Sequence, residues 1–121
     1  MRITIKTTGA VLLTDELRSF VEAKVGKLGR LLDPSDTTVL AEVELESISE
    51  SKTADLFRAE INLSFTGKLV RAEARAETLH TAIDDAVSEA KREVEGARSK
   101  RRNMVRRGAA KVKDFFRRFE R

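Results

Sequence analysis

The chain has 121 residues, of which 40% are hydrophobic and 36% are charged, and it contains no cysteine. This length suits one domain of ordinary size, and the lack of cysteine excludes disulfides, thiolate catalysis and cysteine-ligated zinc. No apolar run approaches the roughly 20 residues of a membrane-spanning helix, and the first residues do not lead into a signal sequence. We therefore expect a cytoplasmic protein.

The first part of the chain predicts a strand, a helix and a second strand. Polar and apolar side chains alternate over residues 2–6, which indicates a short strand. Thr14 is suited to cap a helix, and apolar residues follow helical spacing over 17–32, until Pro34 ends the run. Residues 39–46 alternate again, which indicates a strand with one buried face.

The second part predicts a hairpin followed by a long helix. Residues 57–65 and 70–76 both alternate apolar with polar side chains, and residues 66–68 between them have the composition of a tight turn. Thr78 is suited to cap a helix whose apolar positions recur at helical spacing over 79–94.

This order predicts an α+β fold, β-α-β-β-β-α, with one four-stranded mixed sheet and two helices packed on one face. A right-handed crossover makes the first two strands parallel neighbours, and the last three strands form an antiparallel meander. We expect residues 1–102 to form the domain and residues 103–121 to form a basic C-terminal arm.

Charge divides unequally along the chain. Residues 1–97 hold 13 Lys and Arg against 18 Asp and Glu, whereas residues 98–121 hold 11 Lys and Arg against 2 acidic residues. A basic block of this kind indicates an RNA, DNA or anionic lipid partner. The apolar residues of the arm fall within about 80° on a helical wheel, which predicts an amphipathic helix that folds on its partner. They are Val105, Ala109, Val112, Phe116 and Phe119.

No residue pattern points to an enzyme. His80 is the one histidine, it has no cysteine or catalytic serine beside it, and we interpret it as structural. Asp84 and Asp85 are adjacent and so point about 100° apart on a helix, where they suit the first turn rather than acid–base chemistry. No glycine-rich phosphate loop is present. We expect no catalysis, no cofactor, no metal site and no small-molecule substrate.

The helix side of the sheet is the better candidate for binding nucleic acid. The opposite side is expected to be solvated, of mixed charge and without the aromatic rings that a sheet needs to stack bases. On the first helix Lys24 lies within the apolar arc, at about −20° from Leu17, and must reach solvent where the two helices meet. Lys27 and Arg30 continue that basic flank. On the second helix one flank of the apolar stripe carries Lys91, Arg98 and Arg102. Two basic edges side by side predict a groove that follows a phosphate backbone.

Two stretches of the sequence resemble the family of ribosome hibernation-promoting factors and ribosome-associated inhibitors. The first has ITI at 3–5 and LTDELRSFVEAKVGKL at 13–28; the second has RAE at 71–73, LHTAID at 79–84 and EAKREV at 89–94. The resemblance covers about residues 1–102 in matching order. The family usually has Asp-Met-Tyr at the start of the second helix, where this chain has Thr78-Leu79-His80. The basic arm also has no counterpart in the shorter members.

The resemblance implies a ribosome hibernation factor that binds the small ribosomal subunit and its rRNA in the channel for messenger and transfer RNA. It would inhibit translation, protect idle ribosomes and be monomeric when free. The family's basic positions fall here on Lys24, Lys27, Lys91 and Arg92, and the segment with Arg98, Lys100, Arg101 and Arg102 extends that edge. A generic RNA-binding module and a peripheral membrane protein anchored by the arm are the alternatives, of which the membrane is the less expected partner.

Overall fold

The computed structural model describes residues 1–48 and 56–97. Its elements follow the predicted order: β1 (Arg2–Thr8), α1 (Asp15–Gly26), a 3-10 turn (Lys27–Leu31), β2 (Leu40–Ser47), β3 (Phe57–Phe65), β4 (Lys68–Ala76) and α2, which is helical over 79–97. The predicted α+β class and the β-α-β-β-β-α order are therefore confirmed. The basic arm, predicted for 103–121, lies outside the described residues, as do residues 98–102.

The four strands form one sheet in the order β1-β2-β3-β4. β1 and β2 are parallel, and β3 is antiparallel to both β2 and β4, so the predicted parallel pair and antiparallel meander are confirmed. The hairpin between β3 and β4 turns at Thr66 and Gly67, whose φ values are 47° and 70°. Two successive positive φ angles match the right-handed twist of a two-residue hairpin, and glycine adopts this conformation without steric cost.

The core lies between one face of the sheet and both helices. The central strands contribute alternate residues that are almost completely buried, among them Val43, Leu45, Ile61 and Leu63. The helices contribute one stripe each: Leu17, Val21 and Val25 from α1, and Ala82, Ile83, Ala86, Ala90 and Val94 from α2. The three alanines on α2 present little bulk to the sheet, so this helix can pack close to it. Both helices thus cover the same face, as predicted.

The first helix is shorter than its apolar spacing predicts. The sequence predicts helix as far as residue 32, but the α-helix ends at Gly26 and a 3-10 turn continues to Leu31. Glycine costs about 1 kcal/mol relative to alanine inside a helix, and this stretch contains both Gly26 and Gly29. Tighter winding is common at helix ends. Leu28 is still only 1% exposed, so the change of winding keeps it in the core.

Both helices begin at the caps that the sequence predicts. The Thr14 hydroxyl accepts a hydrogen bond from the Leu17 backbone N–H at 3.1 Å, and the Thr78 hydroxyl accepts one from the Thr81 N–H at 3.2 Å. Each bond satisfies one of the free N–H groups at a helix start. α1 follows β1 and α2 follows β4, and the pairings make these two strands run in the same direction. The two helices therefore run parallel to each other.

We expect Leu63→Ala to lower the free energy of unfolding by about 2–5 kcal/mol, because it removes most of a side chain that is 0% exposed and leaves a cavity. Leu69→Ala is the matched control: Leu69 is 67% exposed on the neighbouring strand, and its loss should cost within about 0.5 kcal/mol. Urea denaturation of both variants measures the difference. Similar losses from the two would contradict the assignment of the core face.

Candidate nucleic-acid interface

Two contacts define how the helices lie side by side. The rings of Phe20 and His80 meet edge to face, with centroids 4.3 Å apart and an interplanar angle of 65°. One turn further along both helices, Lys24 Nζ lies 3.2 Å from Asp84 Oδ1. Residue 20 thus faces residue 80 and residue 24 faces residue 84, which agrees with the parallel direction that the strands impose. We call these four residues the interhelical cluster.

Lys24 lies between the two helices, where the sequence predicts it, and it has a partner there. Its side chain is 34% exposed, forms the ion pair with Asp84, and places Nζ 5.6 Å from the centre of the Phe20 ring. The aliphatic stem can cover apolar surface while the ammonium stays at the rim, balanced by a carboxylate and a ring face. The sequence predicts only a helix-dipole role for Asp84, so its pairing with Lys24 is not found from the sequence. Whether Lys24 binds RNA stays a prediction.

The remaining candidate residues in the described ranges lie towards one end of the helix layer. Lys27, Arg30, Lys91 and Arg92 are exposed and form no ion pair with another residue of 1–48 or 56–97. We call these four residues the basic end. Arg98, Lys100, Arg101 and Arg102 lie outside the described residues.

Lys91 and Arg92 do not share a flank of their helix. The register of the interhelical cluster places Lys91 level with the 3-10 turn that carries Lys27 and Arg30, on the flank that faces α1. Arg92 is the next residue and therefore lies about 100° further round the helix. By this register we expect Lys27, Arg30 and Lys91 to lie on one side, whereas Arg92 lies on the outer surface.

The parallel direction of the helices separates charge along the layer. Acidic side chains lie near the starts of both helices: Asp15 and Glu16 in the first turn of α1, Asp84 and Asp85 in the second turn of α2. The basic end lies towards the C-terminal ends of the two helices, within the described residues. Acids near helix N-termini and bases near C-termini complement the helix dipoles. Because the two N-termini lie at the same edge, the cations of the basic end lie towards the opposite edge, where α2 also carries Glu89, Glu93 and Glu95.

The face of the sheet away from the helices, which we call the open face, is held together by one arginine. Arg58 lies 2.7 Å from Glu60, 2.8 Å from Glu46, 3.5 Å from Glu44 and 3.7 Å from Glu73, measured from guanidinium nitrogen to carboxylate oxygen. Arg58 is largely shielded, with 15% of its side chain exposed, and Glu60 retains 11%. From the sequence, this face is expected to be solvated. That is wrong for these two residues, because the ion pairs cover them.

This arrangement is needed because glutamates face each other across the strands. Glu44 pairs with Glu60, and Glu60 pairs with Glu73, in the register of the sheet. Like charges directly opposite one another destabilise a sheet. The hydrogen bond from Arg58 is the largest cause of the lowered pKa of Glu60, against the opposing effect of burial. Arg71 adds a contact of 2.9 Å to the same carboxylate. These arginines are thus engaged within the sheet.

Other classes of site are not found in the described part of the chain. No three His, Asp or Glu side chains within residues 1–48 and 56–97 come together in a way that could hold a metal ion. Over the same residues, no helix combines the length and apolar character needed to cross a membrane.

The fold and the site define a small α+β domain with two parallel helices on one face of a mixed sheet and a basic end to the helix layer. The family model described as "Sigma 54 modulation protein / S30EA ribosomal protein" matches residues 3–102, and the chain belongs to this family. The family resemblance seen in the sequence is therefore confirmed.

Solved structures of similar proteins agree with the family. The Thermus thermophilus Protein Y N-terminal domain is 32% identical, with a TM-score of 0.65, over 78% of this chain and 96% of that one. A ribosomal subunit interface protein from Coxiella burnetii shares the fold, with 16% identity and a TM-score of 0.64, over 82% of this chain and 99% of that one. No curated protein sequence matches the chain.

We expect Glu60→Gln to lower the free energy of unfolding at neutral pH. In acid, the free energy of unfolding of this variant should depend less on pH than that of the wild type. The pKa of Glu60 is lower in the folded protein than the ordinary value of 4.5, so its charge stabilises the fold above that value. This stabilisation is lost as pH falls from about 5 towards 3. The free energy of unfolding of variant and wild type, measured by urea denaturation at several pH values, should therefore converge in acid.

Glu42→Gln is the control for this comparison, because Glu42 is exposed on the open face and pairs with no cation among the described residues. It should keep the wild-type dependence on pH. A Glu60→Gln variant that also kept this dependence would contradict the role given to the Arg58–Glu60 pair.

Proposed function

We propose that this protein is a ribosome hibernation factor that binds the small ribosomal subunit in the channel for messenger and transfer RNA. Bound there, it blocks initiation by occupying the site and protects the idle ribosome, with no catalytic step. The basic end of the helix layer and the segment 98–102 contact rRNA, and the protein acts in the cytoplasm. Membership of a family described as an S30EA ribosomal protein supports the choice of the ribosome as partner.

The observation that carries this proposal is the concentration of cations at one end of the helix layer. Lys27, Arg30 and Lys91 are exposed there without a carboxylate partner among the described residues, and the chain continues from α2 into a segment with four more cations over 98–102. Phosphate contacts by Lys and Arg release counterions and supply most of the affinity of nucleic-acid binding that does not depend on sequence. A cluster of this kind suits the backbone of a large, folded RNA.

The open face is a poorer surface for RNA. Arg58 and Arg71 are engaged with glutamates, and a phosphate would have to compete with those carboxylates. The partly buried Phe57 packs against the core, so it does not offer a free ring on this face. Sheets that bind single-stranded RNA rely on exposed aromatic rings for stacking.

The basic arm 103–121 is proposed to strengthen binding as an amphipathic helix. Sedimentation of the full chain in lysate through a sucrose gradient tests the proposal as a whole. Movement with the small subunit supports it, whereas spreading over all RNA and DNA supports a generic nucleic-acid module. Recovery with membranes would make the arm a lipid anchor.

We expect the protein to inhibit cell-free translation only when it is near-stoichiometric with ribosomes. A protein that occludes a site needs one molecule per particle, whereas an enzyme that attacks rRNA acts in trace amounts. Titration of the protein against a fixed ribosome concentration, with the rRNA checked for cleavage, measures this. Inhibition at a small fraction of the ribosome concentration would argue for catalysis.

We expect the double variant Lys27→Glu, Lys91→Glu to bind ribosomes much more weakly than Lys6→Glu, Lys68→Glu. All four lysines are exposed, and both variants change the net charge equally, but Lys6 and Lys68 lie on the sheet. If two phosphate contacts are lost, the slope of log affinity against log salt should fall by up to about 2 for the first variant alone. Sedimentation binding at several salt concentrations measures both quantities. Equal weakening would place the RNA-binding surface elsewhere.

A further inference from the structure

The interhelical cluster brings together a ring, a cation and a carboxylate at the surface. Aromatic side chains are few in the described residues: Phe65 is buried, Phe20 and Phe57 are partly buried, and His80 is exposed. His80 thus has the one exposed aromatic ring within residues 1–48 and 56–97. It lies on the flank of α2 that faces α1, the same flank that carries Lys91 towards the basic end.

The edge-to-face contact with Phe20 leaves at least one face of the imidazole uncovered by that ring. An edge-to-face contact covers at most one of the two faces of a ring, so Phe20 cannot cover both faces of His80. Phe20 is itself packed against the core and so holds the imidazole in a defined orientation. Unstacked RNA bases commonly stack on aromatic side chains, histidine included.

The ion pair lies where the edge of a stacked base would reach. His80 and Asp84 are four residues apart on α2, a rise of about 6 Å along the helix. A side chain on the turn next to His80 is therefore close to the edge of a base stacked on that ring. The Lys24 ammonium is a donor and the Asp84 carboxylate is an acceptor, and both side chains are partly exposed, at 34% and 48%. A base edge presents acceptors beside donors, so the pair is complementary to it.

We propose that the interhelical cluster binds one unpaired nucleobase of rRNA. The base stacks on His80, and the Lys24–Asp84 pair contacts its hydrogen-bonding edge, while the basic end holds the adjoining phosphates. This inference rests on the proposed function, and it gives the helix layer a base contact in addition to its sequence-independent phosphate contacts. It also gives the Asp84 carboxylate a function in binding RNA, although this carboxylate would repel the phosphates.

The test compares full-length variants for ribosome affinity and for protection of rRNA bases from reagents that modify their hydrogen-bonding edge. His80→Leu keeps apolar packing on Phe20 but removes the flat ring, and we expect about tenfold weaker binding, within the range for loss of one stacked base. His80→Tyr keeps a flat ring, so its ribosome affinity should be within about twofold of wild type. This change in affinity is far smaller than the change expected for the loss of a stacked base. Asp84→Asn removes a negative charge, which alone would strengthen binding to RNA, yet it should expose one base that the wild type protects.

The outcomes separate this inference from the proposed function. Loss of protection at a single base in His80→Leu and Asp84→Asn, with thermal unfolding unchanged, supports the nucleobase site. Ribosome binding by wild type and His80→Leu with equal affinity and identical base protection would overturn the inference while the proposed function stands. Absence of ribosome binding by the wild type would overturn both.

Discussion

The parallel direction of the two helices is the constraint on which the surface of this protein depends. It follows from the strand pairings: β1 and β2 are parallel, and two reversals return β4 to the direction of β1. A helix that packs back after either strand must run the same way. The two starts, capped by Thr14 and Thr78, therefore lie at one edge of the sheet, and the two ends lie at the other. The acidic residues near the two helix starts therefore lie towards one edge, and Lys27, Arg30 and Lys91 lie towards the other.

On the open face, the electrostatic constraint is repulsion between glutamates. Its glutamates occupy facing positions on three strands, an arrangement that repels unless a cation lies among them. Arg58 supplies that cation, because a planar guanidinium can donate to several carboxylates at once. Glu60 is nearly buried by the same contacts. Removing the arginine would leave a buried carboxylate without its main donor, which is costlier than the loss of an exposed ion pair. This face is therefore better explained by stability than by binding.

Periodicity predicted the strands, the caps and the side of the sheet that the helices cover, because those features depend on local spacing of apolar residues. The α-helix of α1 was predicted to extend further along the chain than it does. Apolar spacing continues through Leu28, whereas Gly26 and Gly29 favour a change of winding. The cross-helix pairs were missed for another reason. Phe20 and Lys24 are four residues apart, as are His80 and Asp84, so each helix presents a ring and a charge on one flank. Matching the two pairs requires the register between helices, which spacing within either helix does not contain.

The acidic balance of residues 1–97 is compatible with RNA binding because the charge is segregated. On the open face, Glu44, Glu46, Glu60 and Glu73 pair with Arg58, Arg71 or Arg75. Asp15 and Glu16, in the first turn of α1, lie at the far end of the layer from Lys91. Over distances beyond about 8–10 Å, salt screens exposed charges from one another. A phosphate close to Lys27, Arg30 and Lys91 therefore responds mainly to charges within that distance, which include Glu93 and Glu95 on α2. Asp84 pairs with Lys24, yet a carboxylate so close to a phosphate path still repels phosphate. An N–H group on a base edge would donate a hydrogen bond to Asp84 and so make the carboxylate favourable at this position.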